Sequence, residues 1–199
     1  MPINRVLILT ALSLLSSCNK EPVDPIQPVS GSSVIVLCEG TFQWNNASLD
    51  LWYPDSSKVL QGQFSKANAR PLGDIAQSAI IDGNQLYVVV NNSGSVLKLN
   101  AQNLKLSQQN RDLKSPRYVQ LWQGRLWVSD LYASKLTVLD TQTLTKVSEA
   151  WAQTWSEEMT IWNGQLAVAE YHGQISLYDS KGKRSDSLAT AKGCQELEV

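Results

Sequence analysis

Three short apolar triplets recur at a fixed spacing, and this repeat constrains the fold more than any other feature of the chain. Leu86–Val88, Leu126–Val128 and Leu166–Val168 lie 40 residues apart. A glycine-containing turn precedes each triplet, and a second β-type run follows each one after a polar loop. A repeat of this length is typical of folds in which each unit buries a face against the next. The repeat therefore predicts one modular domain.

Each complete repeat has the pattern of a strand, a tight turn, a strand, a polar loop, a third strand, a turn and a weaker outer strand. The second, third and fourth units begin near Ala76, Arg117 and Glu158. Strands such as Leu86–Val90 are apolar on both faces, which suits sheets stacked between neighbours. Helical patterning is absent, which excludes the helical solenoids of similar period. The pattern predicts an all-β fold, a β-propeller with four-stranded blades of about 40 residues.

The ends of the repeat leave the size of the ring open. The first unit begins at Val34 and lacks an innermost strand, because proline-rich sequence occupies that position. Lys192–Val199 aligns with the innermost-strand openings of the other units. This segment either completes the first blade of a closed four-bladed ring or begins a fifth unit of a longer propeller. We expect the second, because the chain stops in mid-strand without a capping turn or a polar tail.

The amino terminus predicts export and lipidation. Residues 1–17 have the pattern of a signal peptide, in which Arg5 precedes an apolar stretch too short to span a membrane as a mature helix. The run ending at Cys18 resembles the bacterial lipobox; the alternative is an ordinary signal peptide with an incidental cysteine. Several acyl chains on Cys18 would give a stable anchor. Because Asn19 rather than Asp follows, we expect outer-membrane localisation. Residues 18–32 form a Pro/Ser-rich tether, and residues 33–199 form the propeller.

Composition excludes two classes of function. The net charge is −1 with acids and bases interspersed, so no electrostatic footprint for nucleic acid is present. The chain has three cysteines and one histidine, and no CxxC pair. A structural zinc site is therefore not expected.

Several motifs carry a resemblance to a known family. The stretches concerned are Glu39–Leu49, Asn68–Ser78, Ser115–Tyr118 and Ser129–Tyr132. In order and layout they resemble the YncE-like surface lipoproteins, which include the BtuG-type cobalamin-capturing proteins. The chain departs from the family pattern at Thr41, Gln43 and Trp44. The resemblance implies a seven-bladed propeller, of which about four blades are present here. It also implies a lipid anchor at the cell surface, a TonB-dependent outer-membrane transporter as partner and a corrinoid such as cobalamin as ligand.

In a propeller, the loops between blades and the loops between second and third strands open on one face. The candidate ligand-binding residues in these loops are Glu39, Phe42, Trp44, Asn45, Asp74, Gln77, Asn91, Asn92, Arg117, Asp130, Tyr132, Glu158, Tyr171 and His172. Glu157 and Glu170 lie in the same loops. Amides, aromatic rings and a few charges on a concave face suit a large ligand with polar edges and apolar faces. We expect binding without catalysis, and neither a metal nor a cofactor.

Several of these residues also have structural interpretations. Asn91 and Asn92 suit turn chemistry. Arg117 and Glu158 open innermost strands and could pair with each other. His172 is the only histidine, and a lone loop histidine is usually solvated. Trp122 and Trp162 occupy equivalent positions, so packing between blades explains them better than binding does.

Two other functions compete with ligand capture. Propeller lactonases hold Ca²⁺ with carboxylate and amide oxygens, and Glu39, Asn92, Asp130 and Glu158 are candidates for such a shell. No nucleophile and base have a matched spacing, which disfavours an enzyme. The third candidate is a protein-binding propeller that uses exposed tryptophans as anchors.

Overall fold

The computed structural model describes residues 32–153 and 155–198. The predicted signal peptide, Cys18 and residues 18–31 of the tether lie outside the described residues. The strands are β1 (Val34–Cys38), β2 (Ser48–Tyr53), β3 (Lys58–Leu60), β4 (Ala76–Asp82), β5 (Gln85–Val90), β6 (Ser95–Asn100), β7 (Leu106–Asn110), β8 (Pro116–Trp122), β9 (Arg125–Asp130), β10 (Lys135–Asp140), β11 (Lys146–Trp151), β12 (Ser156–Trp162), β13 (Gln165–Glu170), β14 (Gln174–Tyr178) and β15 (Arg184–Ala189).

These strands form four antiparallel sheets in chain order. One sheet is three-stranded (β1–β2–β3), and the other three are four-stranded (β4–β7, β8–β11 and β12–β15). Two-residue turns join the first two strands of the last two sheets, at Gln123–Gly124 and Asn163–Gly164. All four of these residues have positive φ, which is the geometry of a type I′ hairpin turn. The glycines found in the sequence therefore set the register of each hairpin.

The core lies between neighbouring sheets. Along β5, Leu86 and Val88 pack against the first sheet, whereas Tyr87 and Val89 pack against the third. A separate cluster, which includes Trp122, joins the third and fourth sheets. Burial of each Val or Leu side chain stabilises the folded state by about 1.5–3 kcal/mol. The strand that is apolar on both faces, β5, is thus confirmed as part of a sheet buried between two others.

The strands at the inner edges of adjacent sheets are neighbours. β8 contacts both β4 and β12, while β1 contacts β4. The first sheet has three strands, as the proline-rich sequence before Val34 predicts. Residues 190–198 form no strand. They lie beside β12, where the Glu158 amide donates to the Gln195 carbonyl at 3.2 Å.

Two expectations about the fold were wrong. A helix, α1 (Gln63–Asn68), links β3 to β4; six residues are too few to show a helical period, but Phe64 and Ala67 are buried on the first sheet. Trp162 is 44% exposed on the outer face of the fourth sheet, although the equivalent Trp122 is buried. Trp122 faces a neighbouring sheet, and no described sheet covers Trp162. No helix in the described ranges is long and apolar enough to cross a membrane.

Candidate functional site

Three polar side chains form a hydrogen-bonded row across the innermost strands. They are Gln77 on β4, Arg117 on β8 and Glu157 on β12, spaced 40 residues apart. Arg117 Nη1 donates to Gln77 Oε1 at 2.6 Å, and Arg117 Nε donates to Glu157 Oε2 at 2.8 Å. The repeat therefore places equivalent positions of successive blades side by side around the centre.

Because the row is largely buried, its polar side chains depend on hydrogen bonds with one another. The Glu157 side chain is fully buried, whereas 19% of the Arg117 side chain is exposed. A buried carboxylate without a partner costs several kcal/mol, so Arg117 is needed to hold it. The alternative in which Arg117 pairs with Glu158 is not observed, because Glu158 Oε2 accepts a hydrogen bond from the Leu197 amide at 2.8 Å. The register of β12 on β13 shifts between Ser156 and Met159, so Glu157 and Glu158 lie at an irregularity of the strand where their side chains take different partners.

An aromatic cluster lies at the Glu157 end of the row. The rings of Trp155 and Tyr171 stack with centroids 3.9 Å apart and planes inclined by 8°. The His172 ring stands edge-on to both, at 6.4 and 6.2 Å. Trp155 Nε1 donates to Glu157 Oε1 at 2.7 Å, which connects this cluster to the polar row.

Trp155 was missed by sequence reasoning. Its backbone has φ +64°, a conformation that is strained for a bulky residue and that occurs preferentially at functional sites. The sequence did carry one signal. Trp155 lies 40 residues after Ser115 and 80 after Ile75, so the three residues occupy equivalent positions in successive links between blades. The Trp155 ring and the Tyr171 ring are half-buried, and His172 is exposed.

Asp74 joins two loops on the same face. Its Oδ2 accepts hydrogen bonds from the Gln43 amide at 2.8 Å and from Asn92 Nδ2, and its amide donates to Ser93 Oγ. Asp74 Oδ1 is buried and has no hydrogen-bond partner in the structure. Asp74 and Asn92 therefore hold the loop before β2 against the turn before β6.

Other candidate residues bind the links between blades. Asn91 Nδ2 donates to Ser115 Oγ at 2.9 Å and to the Pro116 carbonyl at 2.8 Å. Asp130 accepts from the Ser115 amide at 2.9 Å and from the amides of Tyr132 and Ala133. These contacts occupy both oxygens of the Asp130 carboxylate, so its charge stabilises backbone rather than facing the solvent.

Glu170 repeats this arrangement one blade later. Glu170 Oε1 accepts from the Gln153 amide at 3.1 Å, and Oε2 accepts from Gln174 Nε2 at 2.7 Å. Asp130 and Glu170 thus occupy equivalent positions with equivalent structural roles.

The remaining candidates lie at the surface. Phe42, Trp44 and Tyr132 have exposures of 59%, 73% and 67%. Asn45 is also exposed and lines a groove of about 480 Å³ between the first and second sheets. The Glu39 side chain is exposed, and its carbonyl accepts a hydrogen bond from the Ala76 amide.

The candidate calcium ligands do not converge. Within the described ranges, no group of three His, Cys, Asp or Glu side chains is placed to hold a metal ion, so Glu39, Asp130 and Glu158 form no such site. Cys38 and Cys194 are free thiols, and Cys38 Sγ lies 3.8 Å from Asp50 Oδ2.

No protein-family model and no curated protein matches the chain. Among solved structures, the β-propeller domain of Cps50 (Swd1) from Myceliophteria thermophila aligns with a TM-score of 0.63 at 10% identity, over 84% of this chain and 61% of that one. The computationally designed Ika8 protein aligns with a TM-score of 0.59 at 10% identity, over 80% of this chain and 50% of that one. The fold is a β-propeller.

The hydrazine synthase of Kuenenia stuttgartiensis is a third similar structure, with a TM-score of 0.52 and 19% identity over 57% of this chain and 34% of that one. At these identities the likeness shows the fold alone. The propeller spans between 34% and 61% of the length of these three structures.

Proposed function

We propose that this propeller is a non-catalytic, ligand-capturing lipoprotein of the outer-membrane surface, which binds a corrinoid such as cobalamin for a TonB-dependent transporter. The observation that carries the proposal is the stacked pair Trp155 and Tyr171, with His172 beside it, at the end of the Gln77–Arg117–Glu157 row. Flat aromatic surface and fixed polar groups are here adjacent on one face.

This combination suits the chemistry of a corrinoid. A corrinoid has a broad, largely apolar ring and a rim of amide side chains. Aromatic rings can cover the ring, while amide and guanidinium groups can exchange hydrogen bonds with the rim. Because Trp155 and Tyr171 hold each other by stacking, little conformational entropy would be lost when they contact a ligand.

The hydrogen bonds of Glu157 and Asp130 favour a role in binding rather than in catalysis for these two residues. A general base needs a free lone pair within reach of the substrate. Glu157 accepts from Arg117 and Trp155, and Asp130 accepts from three backbone amides. These carboxylates are thus engaged within the protein.

We assign the exposed aromatic residues a role in contact with the transporter. Phe42 and Trp44 lie in one loop and are 59% and 73% exposed. Exposed tryptophan and phenylalanine are typical anchors of protein–protein interfaces.

Equilibrium dialysis of the full-length chain against cyanocobalamin tests the proposal. We expect micromolar binding, weakened by roughly tenfold in Tyr171→Ala and in His172→Ala, because each variant removes aromatic contact of about 1.4 kcal/mol or more. Trp52→Ala is the matched control, since Trp52 is also exposed but lies on the first sheet. Equal binding by all variants, or no binding at 100 μM by the unaltered chain, would contradict the proposal.

A further inference from the structure

Two arginines converge on one uncharged oxygen at the boundary between the first and second sheets. Arg70 donates to Gln109 Oε1 through Nη1 and through Nη2, each at 3.2 Å. Arg111 Nη2 donates to the same oxygen at 3.1 Å. An amide oxygen has two lone pairs, so three donors exceed its capacity.

The charge of this arginine pair is not compensated within the protein. In the described parts of the chain, neither Arg70 nor Arg111 has a carboxylate within salt-bridge distance. Burial and the positive charge of Arg111 both lower the pKa of Arg70. Arg70 is also fixed in position, because its guanidinium lies 5.7 Å from the centre of the Phe64 ring. Two positive charges held this close repel each other, and a bound anion would relieve that repulsion.

The arginine pair faces a groove with room for a ligand. The groove has a volume of about 480 Å³ and is lined by Arg70, Arg111, Gln109, Asn45 and Ser93, among other residues. A guanidinium carries five N–H donors in a planar fork, and most of those on Arg70 and Arg111 are left over after the contacts with Gln109. Asn45 supplies a further amide, and Ser93 supplies a hydroxyl.

We propose that the groove between Arg70 and Arg111 is an anion-binding site that takes a phosphate group. The phosphate oxygens would replace Gln109 Oε1 as acceptors for both guanidinium forks, in the bidentate geometry that arginine favours. The site is separate from the aromatic cluster at Trp155, and the proposal does not rest on a corrinoid ligand. A phosphorylated small molecule and a lipid headgroup share this chemistry.

Isothermal titration of the full-length chain with inorganic phosphate, at constant ionic strength, tests the site. We expect millimolar or tighter binding, and a rise in Tm of about 3 °C at roughly ten times the Kd. Arg70→Gln and Arg111→Gln should each weaken binding by about tenfold or more. Arg125→Gln is the matched control, because it removes the same charge from an exposed pair with Asp140 and should leave phosphate affinity unchanged.

The variant Gln109→Glu tests the site in a protein that is expected to stay folded. The new carboxylate would pair with both arginines, so the variant should be at least as stable as the parent chain and should lose phosphate binding. Retained binding in Gln109→Glu, or no binding by the parent chain at 50 mM phosphate, overturns the proposal. Vesicles of phosphatidylglycerol, compared with phosphatidylcholine and with soluble glycerol phosphate, identify the source of the phosphate group.

Discussion

Arg117 and Glu157 occupy equivalent positions of consecutive repeats and meet at 2.8 Å between Nε and Oε2. The two residues are 40 positions apart in the chain but adjacent across β8 and β12. Nη1 of the same Arg117 side chain donates a hydrogen bond to Gln77 Oε1 of the preceding repeat. One arginine thus ties three blades together at the centre of the propeller.

Arg117→Met should destabilise the protein by about 3 kcal/mol, because it leaves the carboxylate of Glu157 buried without its ionic partner. Urea unfolding measures this change. The double variant Arg117→Met, Glu157→Gln should recover part of the loss, since the buried charge is then absent. Arg125→Met breaks an exposed pair with Asp140 and should cost no more than about 1 kcal/mol. An equal loss in both single variants would mean that burial of the pair is unimportant.

Gly94→Ala should destabilise by about 2 kcal/mol more than Gly83→Ala. The two glycines have nearly the same φ, +58° and +56°, so the backbone strain of an added side chain is matched. A Cβ on Gly94 would lie 2.6 Å from the Leu113 carbonyl oxygen, whereas a Cβ on Gly83 would meet no atom within 4 Å. The difference in Tm between the two variants measures the cost of the clash. Equal Tm values would show that the backbone at Leu113 can shift away from the new side chain without a cost in stability.

Alkaline pH should weaken the contact between the third and fourth sheets. Burial, followed by the negative charge of Glu170, raises the pKa of Tyr178 above its ordinary value of 10.0. The folded state therefore keeps this phenol neutral, and the stabilisation is present below pH 10 and declines as the unfolded chain ionises above it. The Tyr178 hydroxyl donates to the Trp151 carbonyl at 2.8 Å.

Tyr178→Phe should reduce the fall in Tm between pH 9 and pH 11, at a cost of about 1 kcal/mol at neutral pH from the lost hydrogen bond. Tyr132→Phe is the control, because Tyr132 is 67% exposed. If the parent chain and Tyr178→Phe show the same dependence on pH, the ionisation of Tyr178 does not limit alkaline stability.

Cys18→Ala should abolish acylation and release the protein from the membrane fraction. Metabolic labelling with radioactive palmitate and fractionation of the producing cells measure both effects. Cys194→Ala provides the comparison, since Cys194 is a free thiol of the propeller and should be unnecessary for labelling. Labelling that persists in Cys18→Ala would exclude the lipobox interpretation.

The fold was predictable because its determinants are local. Strand alternation, two-residue turns and apolar triplets each lie within a few residues of one another, and their repetition at 40 residues specifies the blade. Helix α1 escaped prediction because six residues carry less than two helical turns of pattern. Exposure of Trp162 also escaped it, because exposure depends on whether a neighbouring sheet exists.

The candidate site was predictable only as a set of loops. Sequence placed Asp130 and Asn91 on the ligand-binding face, but the structure uses their side chains to hold backbone groups of the links between blades. The repeat position of Trp155 was a signal in the sequence, but its stacking on Tyr171 depends on the approach of two loops. Loop position follows from the repeat, whereas side-chain contacts follow from packing.

By itself, the sequence determined the blade, because hydrophobic period and turn chemistry act over short distances along the chain. Only the tertiary structure decided which polar groups meet. Arg117 pairs with Glu157 rather than Glu158, and Arg70 meets Arg111 on Gln109, because adjacent blades bring together residues about 40 positions apart. The physical reason is that these contacts join different blades, so they depend on how neighbouring sheets pack and not on the pattern along any one strand.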